Sequence, residues 1–189
     1  MEPLDALDRA VREFGRRVAE VGDDRWDAPS PCEGWSARDV VEHGIAGNRM
    51  SVLLLAGATA ADAIAAVRAA PVGDDPVAAY DEAGRDMVDA FRAPGALSRT
   101  VHHPRGDITG EQFLGFRVGD LVIHAWDLAR AIGADDRLDP ALVEVVWRFM
   151  SPMAPFIGTI GIFGEGPSGT VADDADLQDR LLDLAGRRP

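Results

Sequence analysis

Residues 109–133 read Thr-Gly-Glu-Gln-Phe-Leu-Gly-Phe-Arg-Val-Gly-Asp-Leu-Val-Ile-His-Ala-Trp-Asp-Leu-Ala-Arg-Ala-Ile-Gly. Thr109 and Gln112 form a capping box, and Gly133 is the residue type best suited to a left-handed C′ position, so the spacing predicts one long helix ending at Ile132. On that helix Phe113, Asp120 and Asp127 recur seven apart, with Leu121, His124 and Leu128 beside them. Polar groups therefore lie inside the apolar stripe. An ionised Asp facing a core costs several kcal/mol unless it is paired or bound to a cation, and a buried His needs partners for both ring nitrogens.

The closest pair in this stripe is Asp120 and His124. Four helical residues advance by about 400°, so the two side chains project roughly 40° apart and can grip one ion together. A divalent ion in N/O ligands that is to do chemistry needs three protein donors and an open position, so a third ligand must come from elsewhere. His43 is the candidate. The same spacing also serves a plain hydrogen-bonded i,i+4 pair, with His43 a satisfied core histidine. Asp127 is a fourth ligand, a supporting acceptor for His124 or a helix–helix partner, and Asp39 either orients His43 or only caps its helix.

Working outward, Leu4, Leu7, Val11, Phe14, Val18 and Val21 mark an amphipathic helix from about Pro3 to Val21. Gly22 to Trp35, rich in Asp, Pro, Ser and Gly, is a loop. Ser36 with Asp39 caps a second helix, with Trp35 placed to pack on Val40. Its stripe of Val40, His43, Gly47, Met50 and Leu54 points His43 at the core. Thr59 with Asp62 opens a short helix to about Ala69, and Asp75-Pro76 opens another through Phe91. Ser98 to Thr109, containing His102 and His103, reads as a loop or small hairpin, its histidines a solvated pair. Asp139-Pro140 starts a helix to about Met150. The stretch with Pro152, Pro155 and several glycines is irregular, and Asp174 to Ala185 forms a last helix. The pattern specifies an all-α fold, a four-helix bundle with long crossover connections and additional short C-terminal helices, in one domain over residues 1–189.

Composition excludes several functions. The formal charge is −13 with pI near 4.6, and all basic residues are Arg. No positive stripe is left to neutralise phosphates, so nucleic acid is not an expected partner. The most apolar run, Met50 to Ala61, is far short of the roughly 20 residues needed to cross a bilayer, and no secretory signal is visible. A cytoplasmic chain without membrane contact is expected. One cysteine, Cys32, excludes an internal disulfide; between Pro31 and Glu33 it reads as a small buried hydrophobe rather than a nucleophile. Trp35 and Trp126 read as core aromatics, either of which could wall a pocket.

Three segments carry a resemblance: Trp26-Asp27-Ala28-Pro29-Ser30-Pro31-Cys32-Glu33-Gly34-Trp35 with the helix that leads to His43, then Gly119-Asp120-Leu121-Val122-Ile123-His124-Ala125-Trp126-Asp127, then Leu177-Gln178-Asp179-Arg180-Leu181-Leu182. Together they resemble the DinB-like superfamily. More narrowly, they resemble the branch grouped with the metal-binding domain of mycothiol-dependent maleylpyruvate isomerase, common in actinobacteria. The resemblance implies a four-helix bundle with a divalent metal on His43, Asp120 and His124. It also implies a low-molecular-weight thiol such as mycothiol as cofactor or co-substrate, and a homodimer. No counterpart of that isomerase's extra C-terminal domain is expected, so its own reaction is not implied.

The chemistry that follows is a thiol-dependent transferase or isomerase. A metal with an open position would bind a small thiol as thiolate for attack on an electrophilic substrate. Arg49 or Arg130 would anchor a substrate carboxylate. Mixed imidazole and carboxylate donors suit zinc, nickel or iron about equally well, and zinc is the default expectation. A metal-dependent hydrolase, or a non-catalytic metal-binding or sensing bundle, would use the same ligands.

Overall fold

The computed structural model describes residues 1–160 and 166–189. Helix α1 spans Pro3–Ala19, α2 Ala37–Leu55, α3 Ala60–Ala69, α4 Pro76–Arg92 and α5 Gly110–Ile132. A 3-10 turn and an antiparallel hairpin, β1 Thr100–His103 with β2 Gly106–Thr109, join α4 to α5. After α5 come α6 Pro140–Met150, the short α7 Ile157–Ile160 and α8 Leu177–Leu184. This is the all-α fold expected from the pattern and, from the resemblance, a DinB-like one.

The four long helices α1, α2, α4 and α5 form the body. Helix α1 packs on α4 and α5, and α2 packs on the same two, so the four enclose one core. Small side chains permit this: α4 buries Ala79, Ala83 and Gly84 as well as Tyr80, Met87 and Phe91. Where bulky residues are few, helices approach closely and large rings fill what remains. Phe14 of α1 lies 5.1 Å from Tyr80 of α4, whose hydroxyl donates to the Val11 carbonyl at 3.0 Å.

Local signals set the boundaries. Ser36 and Asp39 form a reciprocal capping box at the start of α2, and Thr109 and Gln112 do the same for α5. Gly133 ends α5 at φ +74°, where a Cβ would be strained. Two helices are shorter than their apolar periodicity. Helix α1 stops at Ala19, before the Gly-Asp-Asp run, and α8 begins at Leu177 because Asp173, Asp174 and Asp176 leave nothing to bury. The irregular stretch around Pro152 and Pro155 contains a 3-10 turn and α7; its residues 161–165 lie outside those described. No helix among the described residues is long and apolar enough to cross a membrane.

One expectation fails at α2. His43 does not enter the core; its side chain is 39% exposed. The neighbouring Ala46 is too small to fill the space between α2 and α5, and a cavity of about 980 Å³ opens there, lined by His43.

Candidate metal centre

Helices α2 and α5 run antiparallel along this cavity: His43 meets Asp120 and His124, while Asn48, further along α2, meets Arg117, further back on α5. His43 Nε2 lies 3.2 Å from Asp120 Oδ1, and His124 Nε2 lies 3.6 Å from the same oxygen. One donor atom from each of the three residues falls within 4.8 Å of the other two. The spacing on α5 and the single histidine on α2 thus converge as a cluster.

The surroundings of each member are asymmetric. Asp120 Oδ2 accepts a 2.8 Å bond from Arg117 Nη1, whose Nη2 donates to Asn48 Oδ1 at 2.9 Å. Only Oδ1 of Asp120 is left to face the imidazoles. Gly47 makes room for this guanidinium: a Cβ there would stand 2.8 Å from Arg117 Cζ, closer than real contacts allow. Burial works to raise the Asp120 pKa, but His43, Arg117 and His124 outweigh it and hold the carboxyl well below its usual value.

His124 is anchored at its other ring nitrogen. Nδ1 lies 2.8 Å from Asp127 Oδ2, so in the neutral ring the proton sits on Nδ1 and the Nε2 lone pair points at Asp120. Two acceptors 3.6 Å apart repel unless a proton or a cation lies between them. A divalent cation answers that demand, and the mixed imidazole and carboxylate donor set is chemistry that zinc, nickel or iron accepts. The residues fit such an ion.

Asp127 itself is fully buried. It accepts from Arg187 Nε at 3.0 Å and Nη2 at 2.6 Å, and from the Cys32 thiol at 3.2 Å, as well as from His124. Burial opposes its charge, yet the bonds from His124 and Arg187 lower its pKa to about 2. Cys32 shows the reverse: burial and the Asp127 charge push the thiol up to about 12, against the opposing pull of Arg187. A second cluster of Cys32, His124 and Asp127 therefore exists, but the Arg187 guanidinium already supplies its positive charge.

Trp35 walls the site. Its ring stacks on His124 at 5.9 Å and 13° and lies 5.1 Å from His43. Trp126 is buried in the core. Among the described residues Asp39 bonds Ser36 alone, which makes it the cap of α2 and not a partner of His43.

The arginines differ most from expectation. Arg49 donates to the carbonyls of Ala70 and Pro71, and Arg130 pairs with Asp136 and lies over the Trp126 ring; neither lines the cavity. Arg117 and Arg187 do. Arg117 stands one turn before Asp120, a spacing that could have found it; Arg187 is 60 residues from Asp127, and no local pattern announces it. The paired loop histidines also separate. His102 bonds Asp107 in solvent, whereas His103 lines the cavity and stacks on Phe116 at 5.9 Å.

The helical bundle with antiparallel α2 and α5 is of the DinB-like fold class. The chain belongs to the mycothiol maleylpyruvate isomerase N-terminal domain family, whose model matches residues 7–129. That span contains His43, Asp120 and His124 and excludes Arg187. Two uncharacterised proteins of Mycobacterium tuberculosis, from two strains, are each 35% identical over 174 residues, covering 92% of this chain and 88% of their own. Two crystal structures of the mycothiol-dependent maleylpyruvate isomerase, one of a mutant, share the fold with TM-scores of 0.63 and 0.61. At 19% identity the match covers 81% of this chain and 68% of theirs.

Proposed function

We propose that this protein is a thiol-dependent transferase or isomerase that holds a divalent ion, zinc by preference, on His43, Asp120 and His124, with a low-molecular-weight thiol of the mycothiol kind as co-substrate. The observation that carries the reading is the convergence of three donor atoms from α2 and α5 within 4.8 Å at the wall of an open cavity. A cavity of about 980 Å³ is at the upper end for small-molecule sites and suits a thiol and an electrophile together. Family membership supports the thiol.

When bound, the ion would supply positive charge that favours the thiolate form of a thiol presented to it. The protein's own residues do the rest. Asp127 keeps the proton of His124 on Nδ1 and fixes the ring; Arg187 holds Asp127 in turn. Arg117 occupies Asp120 Oδ2 and turns Oδ1 toward the imidazoles. Trp35 covers one side of both rings and restricts water there. Cys32, with its thiol raised to about 12, is left out of the chemistry.

The test is metal analysis of the purified protein beside His43→Ala and His124→Ala, followed by titration of cobalt-loaded protein with small thiols. Metal in the parent alone, and a visible band that shifts with thiol, are expected. Equal metal content in all three would end the metal assignment. A metal-loaded band indifferent to thiols would end the thiol assignment and favour a hydrolytic or purely binding role.

A further inference from the structure

The cavity is a trench with two unlike ends. On α5 its lining residues are Phe113, Phe116, Arg117, Asp120 and His124, one face of the helix that runs about 16 Å from first to last. The facing α2 residues, His43 to Met50, cover about 10 Å in the opposite sense. The donor cluster therefore sits at one end.

The other end is apolar. Phe113, Phe116 and Met50 form its floor, and Ile64 and Val67 close it from α3 at the i,i+3 spacing of one helix face. His103 completes it from the hairpin, its ring 5.7 Å from Phe113 and 5.9 Å from Phe116. Burial and the nearby Arg105 both lower the His103 pKa, so that ring offers an uncharged face. Ile64 and Val67 are only partly buried, and the side they leave open is the trench.

Two guanidiniums stand at this apolar end. Arg68 follows Val67 on α3, and Arg105 lies at the hairpin turn; both are exposed, and neither pairs with a carboxylate among the described residues. Other arginines share that freedom among the described residues; what sets these two apart is that both line the apolar end of the trench. Arg117 and Arg187, by contrast, are committed to Asp120 and Asp127.

We infer that the second substrate is an elongated apolar monocarboxylate, its body along Phe113, Phe116, Ile64 and Val67 and its carboxylate between Arg68 and Arg105. The inference rests on the metal-site reading only for which end reacts: the electrophilic carbon then lies toward His43 and His124, remote from the carboxylate. Burial of the chain supplies the affinity. The exposed guanidiniums orient the molecule and select its charge, because planar forks suit a carboxylate. This differs from a short polar diacid such as maleylpyruvate, which would leave the apolar end unfilled.

Binding of decanoate, succinate and 1-decanol is measured by titration calorimetry on the full chain, once as purified and once after chelation, with metal content recorded for each sample. Decanoate is expected to bind at least about tenfold more tightly than either comparator, with or without metal, and to lose about tenfold in the Arg68→Gln/Arg105→Gln double variant. A charge at the apolar wall, Val67→Asp, should weaken decanoate similarly. Succinate binding as well as decanoate, or decanoate indifferent to the double variant, would overturn the inference. Chelation removes metal without removing this site, so loss of the metal assignment leaves the result readable.

Discussion

Asp120 and Asp127 occupy the same stripe of one helix, two turns apart, and the protein treats them oppositely. Asp127 is sealed from solvent and saturated: Arg187 with two N–H groups, His124 and Cys32 all donate to it. Asp120 is 27% exposed and half used, with Arg117 on one oxygen and two imidazoles gathered at the other. One carboxylate has its full set of partners, and the other keeps a side that the proposed metal would take. A buried charge that has all its partners stabilises a local geometry, whereas an oxygen facing two nitrogens across a cavity is arranged for something that arrives.

The largest effect should separate them by metal. Asp120→Ala leaves two donors and should reduce the metal content of purified protein to background, while Asp127→Asn keeps all three and should weaken affinity by about 10–100-fold. Competition with a chromophoric chelator measures both. Metal retained by Asp120→Ala but lost by Asp127→Asn would invert the assignment and move the ion toward Cys32.

Stability should order them the other way. Removing Asp127 as Ala strands the Arg187 guanidinium, whose side chain is only 10% exposed, at a cost of about 3–5 kcal/mol in chemical denaturation. Asp120→Ala strands less, since Arg117 keeps Asn48. The pH dependence follows from the same contrast. The Asp127 pKa falls from 3.8 when unfolded to about 2 when folded, so its contribution of about 2 kcal/mol is complete above about pH 5 and is lost as pH falls through 2. Asp127→Asn should flatten the stability profile between pH 4 and pH 2 relative to the parent. Parallel profiles would show that the buried cluster does not hold its charge as described.

Much of this comparison was legible in the chain, and the illegible part has a common cause. Helix starts at Ser36 and Thr109, the stop at Gly133 and the i,i+4 relation of Asp120 to His124 are local, and local rules found them. His43 was found as a partner but placed too deep, because periodicity reports the angle around a helix and not whether the facing residues fill the space. Beside Ala46 they leave it open. Arg187 and the Cys32 contact to Asp127 depend on chain ends meeting across 60 and 95 residues, which no spacing encodes. Arg49 and Arg130 lie close to the motif residues in sequence, yet each faces away, toward helix-end carbonyls or a surface acid.

A finer probe of the Asp120 side is Gly47→Ala. It touches no donor, but the new methyl would occupy the niche of the Arg117 guanidinium and displace it from Asp120 Oδ2. Asp120 would then turn freely, and metal affinity should fall about tenfold with the ligands intact. The helix preference of Ala over Gly, up to about 1 kcal/mol, offsets only part of an overpacking cost of about 1–3 kcal/mol, so the melting temperature should fall modestly while the fold is kept. An affinity equal to the parent's would mean that Arg117 does not orient Asp120.

The smallest effect is reserved for the Asp127 side. Cys32 touches His124, Asp127 and Arg187, which looks like an activated thiol, but its electrostatics argue otherwise: desolvation and the Asp127 charge outweigh Arg187 and raise the thiol to about 12. At pH 8 a thiol with that pKa is ionised roughly a thousandfold less than a free cysteine, so iodoacetamide should modify it at least about a hundredfold more slowly than glutathione. Cys32→Ser keeps a donor toward Asp127 and should change stability by less than about 1 kcal/mol, with metal content unaltered. Fast alkylation of the native protein would show that Arg187 wins over Asp127. The saturated end of the stripe would then be chemically active, and the division between the two carboxylates would have to be redrawn.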